Sequence, residues 1–322
     1  MKKFIITMIC LAFIFTLSIV IKNTNTKKKP TETKLKVAEV THSIFYTPMY
    51  LADKLGYFKE NGLDVEIILT SGADKVAAAV MSKDVQIGFC GSEQTVYIYN
   101  RGAKDYLVNF AGLTKRDGSF IVSREKSDNF DINNLKNKTI LGGRNGGMPA
   151  MTLNYTLNQK GINAKVDTSV DFANLTGAFL SGKGDYVTLF EPNALALEKE
   201  NKGYVVKSVG EIGGEVPYTT FNTLKSYAEN NPEIIDNFRK SIQKGINYTF
   251  EHSNEDIAKL LIDYFPDTSV RDIEKVIKRY KDIDAWYKTT EITEEGFNHM
   301  QDIIEYNGFL DKRVDFKTLY YE

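Results

Sequence analysis

The amino-acid sequence predicts an α/β protein with two lobes, each a β-sheet flanked by helices. Short apolar strands alternate with helical stretches from residue 35 to about residue 208, which is typical of doubly wound, largely parallel sheets. A strand, loop and helix at residues 82–94 are followed by a similar series at residues 182–194, so the chain describes two such units. The length of 322 residues also suits about two domains of ~150 residues each.

The first unit opens with a strand at residue 35 and a helix that begins at Thr47-Pro48 and ends near Gly62. A proline in the first helical turn and a glycine just after the last turn are the usual start and stop signals. The elements that follow are the strand LDVEIIL, the helix DKVAAAVMSK, the strand VQIGFC, the helix EQTVYIYN and the strand YLVNFAGL.

The second unit follows residue 120. Its elements are the strand TILGG, a helix from Pro149 to about Gln159, the strand VDTSVDF, the helix NLTGAFLSG, the strand DYVTLFE, the helix PNALALEKE and the strand YVVKSV. From about Asn231 the chain is acidic and helical, and its charges alternate with apolar residues at helical spacing. This pattern predicts an amphipathic covering for the sheets.

The two units are not separated by a linker rich in proline or glycine, so we expect paired crossings between the lobes near residues 120–124 and 217–221. The predicted boundaries are residues 1–30 for an N-terminal signal or anchor with a basic linker, residues 34–120 plus 218–322 for a discontinuous lobe 1, and residues 121–217 for lobe 2. The similarity of the two units reflects either ordinary α/β patterning or a true structural repeat.

An apolar segment near the N-terminus predicts export. Phe4–Ile21 holds 18 uncharged residues after Lys2-Lys3, and at ~1.5 Å per residue it nearly spans a bilayer core of ~30 Å. The sequence has no small-x-small cleavage site after this run, so a cleaved signal and a retained anchor both stay open. Cys10 lies inside the run, which disfavours a lipoprotein signal.

The formal net charge of −1 is an average over two unlike parts. Residues 1–30 hold six lysines and no acid, which leaves 35 basic and 42 acidic residues, a net charge of −7, in residues 31–322. An acidic body argues against nucleic acid as the main partner.

Catalytic and metal-binding patterns are weak in this sequence. His42, His252 and His299 lack the spacing of metal ligands, and the chain carries neither a nucleotide-binding glycine motif nor G-x-S-x-G, so we expect no metal and no cofactor. Cys90 and His42 could meet at a sheet edge as nucleophile and base. A small buried thiol at the end of a strand is the interpretation we favour for Cys90, which is the one cysteine outside the apolar segment and so has no intrachain disulfide partner in the body.

Ligands of open α/β sheets bind at the carboxyl ends of the strands, where loops lead into helices. Glycines in such loops let backbone N–H groups approach a ligand, and aromatic side chains such as Phe45, Tyr46, Phe190 and Tyr218 can hold a flat ring. The predicted ligand-binding residues are Ser43, Phe45, Tyr46, Gly72, Gly91, Ser92, Glu93, Asn145, Gly146, Gly147, Met148, Glu191, Asn193 and Tyr218.

Each of these residue types also has a purely structural interpretation. Paired glycines form tight turns, single aromatics fill cores, and Glu191 can complement the N-terminus of a helix. As a group, however, the loops supply acids and aromatic faces with few cations beyond Lys75 and Arg144. This balance favours a neutral or amine-bearing ring over a doubly charged anion.

Four runs of the sequence resemble the substrate-binding proteins of ABC importers, in the NMT1/THI5-like group that includes binders of nitrate, sulfonate, taurine and thiamine pyrimidine. The runs are HSIFYTPMYLADKLGYFKENGLDVEI, SGADKVAAAVMSKDVQIGFCGSEQTVYIYN, ILGGRNGGMPAMTLNYTLNQKGI and GDYVTLFEPNALALEKENKGYVV. The resemblance covers about residues 35–320.

The resemblance implies a type II periplasmic-binding-protein fold, hinged between two lobes, that closes on a small-molecule solute and delivers it to a permease in the membrane. It also implies export to the extracytoplasmic face of the cell membrane, although the lysines flanking the apolar segment would by themselves favour a cytoplasmic body. We expect a small heteroaromatic solute such as a thiamine-pyrimidine precursor. Anions of the sulfonate, taurine or nitrate type are the alternative.

The same group contains a fungal enzyme that makes the thiamine pyrimidine with a lysine and a histidine on the loop after the third strand. The resemblance places Cys90 and Gln94 at those two positions, and the hinge stretch GEVPYTTF lacks the enzyme's cysteine cluster. We therefore expect binding without catalysis, and an enzyme related to the pyrimidine synthase is the alternative from another class.

Overall fold

The computed structural model describes residues 32–70 and 72–322. The predicted export segment at residues 4–21 and the basic stretch up to residue 30 lie outside the described residues. None of the helices in the described part of the chain is long and apolar enough to cross a membrane. Residues 34–322 form one unit, which contains two five-stranded sheets.

The first sheet holds the strands at both ends of the α/β region. Its strands, in spatial order, are β2 (Leu63–Leu69), β1 (Thr33–Glu39), β3 (Ile87–Cys90), β10 (Thr219–Leu224) and β4 (Leu107–Thr114). β1 and β3 are parallel, whereas β10 runs antiparallel to both β3 and β4. We call this sheet with the helices packed on it lobe 1.

The second sheet comes from the middle of the chain. Its strands, in spatial order, are β7 (Lys165–Asp167), β6 (Thr139–Leu141), β8 (Tyr186–Leu189), β5 (Phe120–Ser123) and β9 (Tyr204–Ser208). β6 is parallel to β7 and β8, and β5 is antiparallel to β8 and β9. With its helices it forms lobe 2.

The prediction of largely parallel sheets is wrong for β5 and β10. Each is the strand by which the chain enters a lobe after crossing from the other one, so the strand before it in the sequence lies in the other sheet and no strand–helix–strand crossover within one sheet sets it parallel. Both sheets are therefore mixed, and the two-lobed α/β class itself is confirmed.

The helices follow the strand order closely. They are α1 (Thr47–Lys54), α2 (Tyr57–Glu60), α3 (Ala73–Met81), α4 (Glu93–Asn100), α5 (Met148–Gln159), α6 (Leu175–Leu180), α7 (Asn193–Lys199), α8 (Val209–Gly213), α9 (Lys225–Asn230), α10 (Pro232–Glu251), α11 (Asn254–Leu261), α12 (Val270–Asp282), α13 (Glu294–Tyr306) and α14 (Phe316–Leu319). Short 3₁₀ turns occur at Ile44–Tyr46, Ile132–Leu135 and Phe172–Asn174.

The C-terminal helices are amphipathic as predicted, and their apolar faces complete the core of lobe 1. In α12 the buried residues Ile273, Val276, Ile277 and Tyr280 recur at spacings of three and four. Burial of each such aliphatic side chain stabilises the fold by about 1.5–3 kcal/mol. The same core cluster reaches into lobe 2 through residues such as Met148.

The two crossings between the lobes run side by side. Val216 N–H donates to the carbonyl of Lys115 at 3.0 Å, and Tyr218 N–H donates to that of Thr114 at 3.0 Å. We call residues 115–119 and 214–218 the paired crossings. Their residues stand at the junction of both sheets, where the loops of the two lobes meet.

Candidate functional site

Four of the predicted aromatic residues come together where the lobes face each other. The ring centroid of Phe45 lies 5.7 Å from that of Tyr46, 6.1 Å from that of Phe190 and 6.1 Å from that of Tyr218. Phe45 and Tyr46 belong to lobe 1, Phe190 follows β8 of lobe 2, and Tyr218 lies on a crossing. We call these four residues the aromatic cluster.

The turn that carries Phe45 is held from several directions. Ser43 begins the turn and its Oγ accepts a hydrogen bond from Phe45 N–H at 3.2 Å. Trp286 donates from Nε1 to the carbonyl of Phe45 at 2.7 Å, and the Tyr280 ring lies 4.7 Å from the Phe45 ring. Ser43 Oγ also lies 3.5 Å from the carbonyl of Glu191 in lobe 2.

Glu93, at the start of α4, places a carboxyl group beside this cluster. The side chain is buried, Oε1 accepts a hydrogen bond from Gln94 at 3.2 Å, and Oε2 has no partner. Burial raises the pKa of the carboxyl, while Gln94 and Arg144 lower it in part. A buried oxygen without a partner is unfavourable by about 1–3 kcal/mol, unless a bound molecule supplies a donor.

Gly91 is what allows the Glu93 carboxyl to occupy this place. A Cβ atom at residue 91 would lie 2.0 Å from Oε2 and 2.6 Å from Oε1 of Glu93, so any side chain there would displace the carboxyl. Ser92, between them, donates from Oγ to the carbonyl of Pro217 at 2.6 Å. That bond ties the loop after β3 to the crossing that carries Tyr218.

A second buried carboxyl lies on the other crossing. Asp117 Oδ1 accepts from the N–H of Ser119 at 2.7 Å and from its Oγ at 2.5 Å, and the Tyr218 hydroxyl is a further donor beside the carboxyl. Burial raises the pKa of Asp117 to about 6, although Ser119 and the nearby Tyr218 hydroxyl lower it in part. Sequence reasoning missed Asp117, although an Asp-Gly-Ser turn directly before a predicted crossing was a usable signal.

Glu191, predicted to contact a ligand, is engaged by protein groups. Its carboxylate accepts hydrogen bonds from Arg279 and from Leu195 N–H, the latter at 2.8 Å. Arg279, on α12, also donates to the Glu198 carboxylate at 2.7 Å, so it links a helix of lobe 1 to α7 of lobe 2. Asn193 is exposed. The ligand role of both residues stays a prediction, and Arg279 had no local sequence signal.

The glycine-rich loop before α5 reaches lobe 1 at the rim of the site. Arg144 pairs with Asp74 of α3 at 3.2 Å, with both side chains more than half exposed. Asn145 is also exposed, whereas Met148 is buried in the core. A Cβ at Gly146 would lie 3.0 Å from the Phe309 ring.

Two other predicted residues of these loops are partly exposed. Gly72 lies at the N-terminus of α3 with φ of 113°, a backbone conformation that favours glycine. Gly147 caps α5 in extended conformation, with its N–H bonded to the carbonyl of Arg144 at 3.1 Å. Both loops therefore lead into helix N-termini, as the sequence predicted.

Three of the basic side chains that border these loops have acidic partners. Arg144 pairs with Asp74 and Arg279 with Glu191, as described above. Lys115, on a crossing, pairs with Asp284 at 2.6 Å. The buried groups without a partner near the crossings include two oxygens, Glu93 Oε2 and Thr114 Oγ1, and one donor, Arg116 Nε.

The alternative of a cysteine nucleophile is not supported by the geometry. Cys90 is buried, accepts a hydrogen bond from Asn222 at 3.4 Å, and has its thiol pKa raised by burial. The His42 ring nitrogens instead meet Glu39 at 2.9 Å and the carbonyl of Tyr264 at 2.8 Å. Within residues 32–70 and 72–322 no group of three or more His, Cys, Asp or Glu residues is placed to hold a metal ion.

Comparisons with known proteins place this fold in a family. Residues 44–256 match the model of the family described as NMT1/THI5 like. YtlA of Bacillus subtilis (strain 168), which is named as a binding protein, is 43% identical over 297 residues that cover 91% of this chain and 89% of YtlA.

Solved structures agree in fold. The alkanesulfonate-binding protein SsuA from Xanthomonas axonopodis pv. citri, bound to MOPS, has a TM-score of 0.70 at 15% identity and covers 90% of this chain and 98% of its own. The periplasmic aliphatic sulphonate binding protein SsuA from Escherichia coli has a TM-score of 0.69 at 18% identity, with 89% and 97% covered. The resemblance inferred from the sequence is confirmed: the chain belongs to the NMT1/THI5-like family and has the two-lobed fold of the periplasmic binding proteins.

Proposed function

We propose that this protein is the solute-binding component of an ABC importer at the extracytoplasmic face of the cell membrane. It captures a small molecule between its lobes and delivers it to the membrane permease. The family, the fold and the meeting of aromatic side chains from both lobes support this role. Closure is favoured by ligand because only the closed arrangement contacts the molecule from both sides.

The solute is a small heteroaromatic that carries an amino group, such as a thiamine-pyrimidine precursor. The observation that carries this choice is the buried, unpartnered Oε2 of Glu93 beside the aromatic cluster. Two unit charges 4 Å apart interact by about 4 kcal/mol at an effective dielectric constant of 20. An ionised Glu93 therefore favours a protonated amine and disfavours an anion by a comparable amount, and aromatic faces add further attraction for a cation.

The proposed contacts are taken from the predicted loops. They are Ser43, Phe45, Tyr46, Gly72, Gly91, Ser92, Glu93, Asn145, Gly146, Gly147, Met148 and Tyr218. The aromatic cluster stacks on the ring of the solute, and Glu93 accepts a hydrogen bond from its amino group.

A second candidate is a small anion of the sulfonate or nitrate type. The N-terminus of α5 favours it, because the free N–H groups of a helix start attract acceptor atoms and Gly146-Gly147 open the approach. We rank it second because Arg144, the cation on that loop, is paired with Asp74.

Thermal unfolding of the full chain with a panel of solutes tests the proposal. The panel contains 4-aminopyrimidine, unsubstituted pyrimidine, taurine, methanesulfonate and nitrate. A solute present at 100 times its Kd stabilises the native state by about 2.7 kcal/mol. We expect 4-aminopyrimidine to raise the Tm and the anions to leave it unchanged.

Two variants complete the experiment. Glu93→Gln should abolish the shift with 4-aminopyrimidine, whereas Glu200→Gln, at an exposed glutamate, should keep it. If the anions stabilise the protein and the aminopyrimidine does not, the choice of solute is wrong while the transport role stands. A change in the chemical structure of the solute during incubation would instead support the enzyme alternative.

A further inference from the structure

Phe172 stands beside the aromatic cluster, on a loop of lobe 2 that the sequence did not mark as a candidate. Its ring centroid lies 5.7 Å from that of Phe190, with an interplanar angle of 61°. The ring of Phe190 in turn lies 6.1 Å from that of Phe45 in lobe 1 and 6.5 Å from that of Tyr218. Phe172 therefore extends the cluster by one further ring on its lobe 2 side.

The topology of the second sheet explains why Phe172 reaches this place. β7, β6 and β8 are neighbours and parallel, so their carboxyl ends open at one edge of the sheet. The predicted site residues come from the loops after β6 and β8, because residues 166–172 were predicted as strand. In the structure β7 ends at Asp167, and residues 168–171 form a third loop at the same edge, which leads into the 3₁₀ turn Phe172–Asn174.

The neighbours of Phe172 belong to the other two loops. Phe190 follows β8, and a Cβ atom at Gly143, after β6, would lie 3.7 Å from Cδ2 of Phe172, which is ordinary van der Waals distance. The residue after Gly143 is Arg144, which reaches Asp74 of lobe 1 at 3.2 Å. Phe172 thus contacts both candidate loops of lobe 2, close to a place where the lobes meet.

The loop that carries Phe172 is anchored on both sides. Before the ring, Ser169 N–H donates to Asp167 Oδ1 at 2.9 Å, and Lys183 Nζ donates to Ser169 Oγ at 3.0 Å. After it, Leu175 is buried in the core of lobe 2. Phe172 itself is 45% exposed. The ring therefore has a fixed place and still keeps part of its surface open to solvent.

This exposure distinguishes Phe172 from the cluster. Phe45, Tyr46 and Tyr218 are only 1%, 3% and 7% exposed, since their rings pack against one another and against the core. A single exposed phenylalanine is common on protein surfaces, but this one adjoins a ring that contacts lobe 1 and a glycine of the candidate loop after β6. Phe172 therefore offers an accessible aromatic face at the margin of the proposed site.

We propose that Phe172 is a further ligand contact, which stacks on the ring of the bound heteroaromatic. This inference rests on the proposed function and deepens it, because it names a specificity-determining residue outside the predicted loops. Aromatic rings prefer offset-stacked or edge-to-face neighbours at centroid separations of about 4.5–7 Å. Phe190 already provides one such neighbour for Phe172, and the flat ring of the solute provides the second.

Isothermal titration of the full chain, purified in detergent, with 4-aminopyrimidine tests this contact. Phe172→Tyr keeps an aromatic ring, Phe172→Leu keeps apolar bulk without one, and Phe172→Ala removes both. Loss of one aromatic contact predicts that Phe172→Leu and Phe172→Ala bind about three- to tenfold more weakly than the wild type. Phe172→Tyr should bind within about twofold of it, because the ring is retained.

A matched control is Phe250→Ala, at a phenylalanine of α10 that is 39% exposed, which should keep the wild-type affinity. Urea unfolding of each variant verifies folding. We expect midpoints close to that of the wild type, because substitution of a partly exposed side chain removes little buried surface.

The outcomes separate this inference from the proposed function. If Phe172→Leu and Phe172→Ala bind 4-aminopyrimidine as tightly as the wild type, Phe172 does not contact the solute, and the inference fails while the proposed function stands. If Phe172→Tyr loses as much affinity as Phe172→Ala, an aromatic ring is not what the site requires here, and the inference fails as well. If the wild type does not bind 4-aminopyrimidine, the proposed solute fails, and the stacking role fails with it.

Discussion

Replacing Gly91 with alanine tests whether binding depends on the place of the Glu93 carboxyl. A Cβ at residue 91 would lie 2.0 Å from Oε2 and 2.7 Å from Cδ of Glu93, well inside the ~3.5 Å at which such atoms are in contact. The carboxyl must therefore move by roughly 1 Å or more, which breaks its alignment with a ligand donor. Loss of one charge-assisted hydrogen bond, about 1.5–3 kcal/mol, predicts a Kd ten- to a hundredfold higher.

The stability of the Gly91→Ala variant should change little. Gly91 has no positive φ, and the atoms in the way are the end of a flexible side chain. Alanine also lowers the conformational entropy of the unfolded chain, which stabilises by about 0.4–1 kcal/mol. We expect a free energy of unfolding within about 1 kcal/mol of the wild type.

Binding can be followed by the fluorescence of Trp286, which is the one tryptophan of the chain and donates to the carbonyl of Phe45. Urea unfolding gives the stability of the same samples. The control is Gly177→Ala, at an exposed helical glycine with no neighbouring atom within 4 Å of a Cβ, which should keep wild-type affinity. If Gly91→Ala binds 4-aminopyrimidine within twofold of the wild type, the position of Glu93 does not govern binding.

Three further predictions concern groups around the site. Arg279→Met leaves the buried Glu191 carboxylate uncompensated and should lower the free energy of unfolding by about 3 kcal/mol in urea titrations. An unchanged urea midpoint would contradict a stabilising role for the ion pair between the lobes. Because burial raises the pKa of Asp117 to about 6 from 3.8, its protonated form is favoured on folding. Stability relative to Asp117→Asn should therefore fall by about 2.4 kcal/mol as pH rises from 4 to 7, and parallel pH profiles would refute this. Arg144→Gln removes an exposed ion pair with Asp74 and should change stability by less than about 1 kcal/mol. Any salt dependence of the affinity for 4-aminopyrimidine that arises from this ion pair should be absent in the variant. Titrations at 0.05 and 0.5 M NaCl, where the Debye length is about 14 and 4 Å, measure it.

Local patterns in the sequence were sufficient for most of the secondary structure. The helix start at Thr47-Pro48 and the stretch Glu93–Asn100 agree with the structure because proline placement and apolar spacing act over a few residues. The strand predicted at residues 166–172 is shorter, at Lys165–Asp167, since the rest of that stretch leads into a 3₁₀ turn.

Groups that depend on distant partners were harder to predict. The aromatic residues of the cluster could be named from their loops, because strand ends in α/β folds converge on one edge. Arg279 could not, since it lies 88 residues from Glu191 and no local pattern links the two. The same holds for the antiparallel direction of β5 and β10, which follows from where the chain re-enters each sheet.

The sequence by itself determined the α/β class, the order of the elements, the family resemblance and the loops in which a site would form. The tertiary structure decided which members of those loops are free to meet a ligand. Arg279 pairs with the Glu191 carboxylate, whereas Glu93 keeps one buried oxygen without a partner. The reason is that hydrogen-bond satisfaction depends on side chains far apart in the chain, which only packing of the two lobes brings together.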